Sequence, residues 1–214
     1  MITGKNVRTS TLRKYLNGDI RLTERDREFL SDLSRVQIID KQDALNVHFK
    51  TANSSKRLDS LCKAGVLERI EVNQPGRGRF KAYHFKTDKI ASLFGGRKPA
   101  IERKRNALHE VITSKIFFAE NRPKSFVVEG NFTKEQNELF KLSSPSLTGR
   151  NSSIPDAMYV NASGEIVVCE ADSGQYNKTQ IRSKQAAWKG FKQVWGQPAK
   201  AGARVTGSKV HLFS

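Results

Sequence analysis

No run of about 18 apolar residues occurs in the chain, the minimum for a helix that spans a bilayer, so a spanning helix is not expected. Residues 1 to 22 contain no apolar core of the length a secretory signal needs, which makes the cytoplasm the expected compartment. Cysteine is scarce. Cys62 and Cys169 both sit in apolar segments without metal-ligand spacing, as two buried thiols in a reducing cytosol would. No internal repeat is visible. Acidic residues are outnumbered, 21 against 38 Lys plus Arg, for a net charge of +17. That excess attracts polyanions, above all nucleic acid, because bound phosphates release condensed counterions. With 214 residues there is material for two modest domains or one large one.

The pattern along the chain predicts a mixed α+β protein, with an N-terminal winged helix-turn-helix followed by an α/β domain. Residues 1 to 22 form a basic arm with Lys5, Arg8, Arg13, Lys14 and Arg21, and a short helix near Thr11 to Leu16. The winged helix is expected over residues 23 to 93. Thr23 has the chemistry of an N-cap, and the helix after it, about Glu24 to Leu33, buries Phe29, Leu30 and Leu33. Asp40 opens a second helix, Lys41 to Phe49. A third begins near Ala52, ends at Gly65, and leaves Asn53, Lys56 and Arg57 on the face opposite Leu58, Leu61 and Cys62. Two strand-like runs, Val66 to Val72 and Phe80 to Phe85, flank a basic tip carrying Arg77 and Arg79. In this reading the third helix enters the major groove of double-stranded DNA, with Asn53, Lys56 and Arg57 facing it, while Arg77 and Arg79 reach phosphates or the minor groove. A small domain that binds protein, or merely spaces the remainder of the chain, is the plainer alternative.

Residues 94 to 99, with Gly95, Gly96 and Pro99, suit a linker into a second domain over 100 to 214. That domain opens with a helix, Ala100 to Glu120. His109 falls beside its apolar arc and reads more readily as a packing residue than a catalytic one, and Glu110 falls on the far side near Phe117. Strands follow at Lys124 to Phe132, Ile154 to Asn161 and Glu165 to Asp172, with a surface loop over Lys141 to Ser153. A long helix is then expected over Asn177 to Gly196, and a last strand over Arg204 to Phe213.

The chemistry concentrates in Asp156, Glu170 and Asp172, three carboxylates at the edge of an apolar strand. Strand period two puts Glu170 and Asp172 on one face, and the preceding hairpin folds Asp156 alongside. Hard oxygen donors so grouped suit Mg²⁺ or Mn²⁺. On the predicted helical wheel Lys184 falls within the apolar arc, while Lys178, Arg182 and Lys189 face outward. An inward lysine either meets the carboxylates or snorkels to water.

Helix, three strands, helix and strand is the order of the PD-(D/E)xK nuclease core. Pro155-Asp156 resembles its first motif and Glu170-Ala171-Asp172 occupies its second, although Asp172 stands where that motif has lysine. A lysine on the following helix can serve instead, and Lys184 is so placed. Together with Leu108-His109-Glu110 and Glu170-Ala171-Asp172-Ser173-Gly174, these features resemble the replication-relaxation family of mobile-element proteins. The resemblance implies a DNA-binding role in plasmid, phage or integrative-element processing, replication or transfer, alongside other DNA-processing proteins, without implying cleavage. Two uses of the second domain follow. In one it is a degenerate nuclease fold serving DNA contact or homodimerisation. In the other it is a Mg²⁺-dependent endonuclease or nickase with Asp156 and Glu170 as ligands, Asp172 as an additional ligand or water-orienting base, and Lys184 stabilising charge. A ligand-sensing transcriptional regulator is a third reading.

Overall fold

The computed structural model describes residues 9–16, 20–50, 54–74, 76–99, 104–143, 154–199 and 204–213. The chain is mixed α and β and contains two compact units, Met1–Gln74 with Gly78–Ala107 and Pro75–Arg77 with Leu108–Ser214, so that the main division lies between Ala107 and Leu108. Composition locates a linker at 94–99, but the division falls inside a helix. Among the described residues no helix is long and apolar enough to cross a membrane.

In the first unit, α1 (Thr9–Arg13) precedes α2 (Glu24–Val36). Thr23 caps α2 reciprocally: its hydroxyl accepts from the Asp26 amide while the Asp26 carboxylate accepts from the Thr23 amide. Phe29, Leu30, Leu33 and Val36 are buried from this helix. The apolar stretch after it yields only a two-residue strand, β1 (Ile39–Asp40). Asp40 then caps α3 (Lys41–Asp43), accepting from the Asp43 amide at 2.7 Å, and the helix widens into a π turn over Ala44–His48. α4 (Ser54–Lys63) ends as expected at Gly65, whose φ of +82° is open to glycine. β2 (Leu67–Gln74) and β3 (Gly78–Phe85) form the hairpin, and the sheet order is β1-β3-β2. α5 (Asp88–Leu93) ends the segment expected as the winged helix, where no helix was foreseen. Its N-cap, Thr87, accepts from the Ile90 amide, and Phe94 stacks on Phe85 at 5.5 Å.

The second unit holds a five-stranded sheet in the order β4-β5-β6-β7-β8. After α6 (Lys104–Ala119), the strand expected over Lys124 to Phe132 is cut to β4 (Val127–Val128), and Glu129–Asn131 turn into a 3₁₀ segment. α7 (Lys134–Ser143) runs into the start of the expected surface loop; it buries Phe140 and begins at a Thr133/Gln136 capping pair. Residues 144–153 of that expected loop lie outside the described residues. β5 (Ala157–Val160) and β6 (Ile166–Ala171) continue an antiparallel meander from β4. α8 (Lys178–Ala187) then crosses to β7 (Lys192–Pro198), parallel to β6, and β8 (Lys209–Phe213) adds parallel to β7.

The long helix expected over Asn177 to Gly196 is therefore two elements. Helical spacing carried through Phe191, Val194 and Trp195, but Val194 to Pro198 are all buried in a strand covered on both faces. A short run buried on both faces shows no period-two alternation, so helix and strand cannot be told apart there. The structure also shows why Gly196 is glycine. A Cβ there would lie 2.7 Å from Ile112 Cγ2 and 2.9 Å from Ile116 Cγ1. Gly196→Ala should therefore destabilise the second unit by roughly 1–3 kcal/mol through overpacking. Urea unfolding reads that loss, and an unchanged midpoint would refute this packing.

Candidate functional site

One strand pairing organises the site. Ala157 faces Cys169 and Val128 faces Ala157, and Glu129 donates its amide to the Asp156 carbonyl at 2.9 Å. Continuing both registers by one residue sets Glu129, Asp156 and Glu170 in a row across three adjacent strands. Directly opposed like charges destabilise a sheet, so such a row needs cations. Met158 and Val168, two residues further along their strands, pack with Phe140 and Trp188. Glu170 thus points to the face where Lys184 of α8 and Trp188 lie.

Glu170 is fully buried and accepts from Lys184 Nζ at 2.5 Å and from Trp188 Nε1 at 2.6 Å. Lys184 is thus inward, as its place near Ile181 in a ten-residue helix requires, even though part of the predicted wheel lay on β7. Its ammonium also sits 5.3 Å from the centre of the Tyr176 ring. Burial and the neighbouring Asp156 charge push the Glu170 carboxyl above its usual range, against the pull of Lys184. Burial opposes the charge on Lys184, but Glu170 and Asp156 outweigh it and raise its pKa.

Asp156 Oδ2 accepts from the Ala171 amide at 2.7 Å, and Oδ1 lies 3.1 Å from His109 Nε2. Burial works against an ionised Asp156. His109, Lys184 and the Ala171 amide prevail, holding the carboxyl well below its usual range. In turn Asp156 overcomes the burial of His109 and lifts its imidazole to about 9. His109, which the helical wheel favours as packing, is therefore an ion-pair partner of the central carboxylate. Glu110, expected on the far side, is close enough for burial and the Asp156 charge to raise its carboxyl. The one signal that could have found them is their occurrence together in Leu108-His109-Glu110.

Asp172 does not join this group. It lies just past the end of β6, where Oδ1 accepts from the Gly174 and Tyr176 amides at 2.9 and 3.3 Å. Its Oδ2 accepts from Gln197 Nε2 at 3.0 Å and lies 3.2 Å from Arg204 Nη1. Asp172, expected as an additional ligand or water-orienting base, instead holds the turn that leads into α8. Trp188 and Tyr176, both against the Glu170–Lys184 pair, were not foreseen, because their contacts depend on where α8 ends and how it crosses the sheet.

Of the expected DNA contacts, Asn53 lies outside the described residues. Lys56 is exposed. Arg57 is drawn into structure: its Nε donates to Asp26 Oδ1 at 2.9 Å, and Nη2 donates to Asp26 Oδ2 and to the Arg21 carbonyl. It ties α4 to the start of α2. Arg77 is half-buried, whereas Arg79 is largely exposed with Glu71 at 4.0 Å.

The donor set suits a hard divalent cation that keeps much of its water, because Asp156 and Glu170 bring two carboxylates to one row. Among the described residues no three ligating side chains converge into a closed cage. Comparison of the chain with protein-family models, curated proteins and solved structures returns no match.

Proposed function

We propose that this chain is a DNA-binding protein that processes the DNA of a mobile genetic element, with phosphodiester hydrolysis at Asp156, Glu170 and Lys184. The observation that carries the proposal is the meeting of a helix-borne lysine with a fully buried glutamate, one strand away from a second carboxylate. The element order α6-β4-α7-β5-β6-α8-β7, in which α7 is inserted between the first two strands, supports reading the second unit as PD-(D/E)xK-like, and α2-β1-α3-α4-β2-β3 supports a winged helix in the first. The resemblance of the motifs to the replication-relaxation family points to a plasmid, phage or integrative element.

A Mg²⁺ or Mn²⁺ ion held by Asp156 and Glu170 would supply charge neutralisation at the scissile phosphate. His109 keeps Asp156 ionised at neutral pH. Glu170 fixes the direction of Lys184, whose ammonium counters charge gathering on the phosphoryl oxygens. Water adds to phosphorus as the bridging P–O bond breaks, leaving a phosphate and a hydroxyl end.

Supercoiled plasmid incubated with Mg²⁺ or Mn²⁺ tests this reading. Wild type should yield nicked or linear forms, and Glu170→Gln should not. If wild type takes up no metal by calorimetry and cuts no form of DNA, hydrolysis is refuted. A non-cleaving DNA-binding role then stands, and one observation already favours it: His109 and Lys184 pair with both carboxylates within the protein itself. For the wing, replacing Arg77 and Arg79 together by alanine should weaken duplex binding and flatten the logarithmic salt slope by about 0.9 for each phosphate that is no longer neutralised. Identical salt titrations for variant and wild type would remove the wing from the interface.

A further inference from the structure

At the opposite end of the sheet from the carboxylate row, the second unit has a cavity of about 710 Å³. Its position follows from the strand directions. The cavity is lined by Val167 at the start of β6, Lys192 at the start of β7 and Lys209 at the start of β8, whereas Glu170 lies near the end of β6. We infer that this cavity is a second nucleic-acid site, which grips the phosphodiester backbone of a single strand away from the proposed hydrolytic centre.

Its charge, its fixed geometry, its apolar wall and its size support this. Lys189, Lys192 and Lys209 line the cavity against one acidic lining residue, Glu120, leaving it cationic. Lys209 is held toward Glu120 at 2.7 Å and Lys192 toward Glu165 at 2.5 Å, so both ammonium groups are positioned before a ligand arrives. The rim is also fixed: Gln185 donates to the Thr206 carbonyl at 2.7 Å, and Gln193 donates to the Gln185 carbonyl at 3.0 Å. Phe191, half-buried against Phe140 and Trp188, adds an apolar wall on which a base can rest. The volume falls within the range for a small-molecule site and would hold one or two nucleotide units, but not the width of a duplex.

The inference rests on the proposed nucleic-acid partner but not on hydrolysis, so the test is a binding measurement without metal. Fluorescein-labelled oligothymidylate is titrated with the full chain by anisotropy over a range of salt. Lys189→Gln with Lys192→Gln should reduce the logarithmic salt slope by about 1.4, or 0.7 for each lysine removed from a single-strand site. The matched pair Lys134→Gln with Lys141→Gln, on α7, removes the same charge outside the cavity lining and should leave the slope near wild type. Equal slopes for the two double variants overturn the cavity assignment while DNA binding stands. Wild type that binds neither duplex nor single strand at low salt overturns the nucleic-acid reading itself.

Discussion

Lys184→Met is expected to destabilise the second unit by roughly 3–5 kcal/mol, the range for removing one partner of a buried ion pair. Glu170 is fully buried, and Lys184 and Trp188 satisfy its two oxygens. Without the ammonium, a carboxylate whose pKa is already raised by burial would have to protonate on folding. The loss should therefore shrink as pH falls toward the ordinary glutamate range. The double variant Lys184→Met with Glu170→Gln should regain much of the stability, since an amide needs no counter-charge. Denaturant unfolding of the four proteins in a double-mutant cycle measures this. If the two single losses simply add, the pair is not coupled as described.

Asp156→Asn should have the second largest effect, and it has two readouts. If the proposed hydrolysis operates, cleavage should fall by roughly two to three orders of magnitude, as when a charge-stabilising group is lost. Independently of activity, the His109 imidazole should fall from about 9 toward or below its ordinary 6.5, because burial would no longer be outweighed by Asp156. Titration of the imidazole carbon-bound protons by NMR reads this directly, and an unmoved His109 would break the assigned pair. The stability consequence has a definite sign. A histidine whose pKa is higher folded than unfolded contributes fully below about 6.5, and that contribution is lost as pH rises through about 9. The full shift corresponds to at most about 3 kcal/mol. Wild type should lose thermal stability across that window, and Asp156→Asn should show a flatter profile.

The elements set by local chemistry were legible in the sequence. Thr23, Asp40 and Gly65 carry side-chain or backbone preferences that act within a few residues, and each bounds a helix as expected. Asp156, Glu170 and Lys184 were also legible as a group, since strand alternation and a helical face suffice to aim them. What remained hidden depends on neighbours distant in sequence. β7 was concealed because burial on both faces erases alternation. Asp172 was grouped with Asp156 and Glu170 because the partners that engage it, Gln197 and Arg204, lie far along the chain and strand alternation does not reveal them. His109 looked peripheral on its own helix, where Asp156 cannot be seen.

The crossover through α8 also sets an order in time for a chain made from its N-terminus. Glu170 is synthesised before Lys184 and Trp188, which neutralise and cover it, and the parallel partner of its strand, β7, follows later still. A nascent chain that has emerged only through β6 therefore exposes an acidic strand end without its cation. The proposed hydrolytic centre can be complete only after α8 has left the ribosome, so truncation between Ala171 and Lys184 should remove the lysine on which the proposed cutting depends.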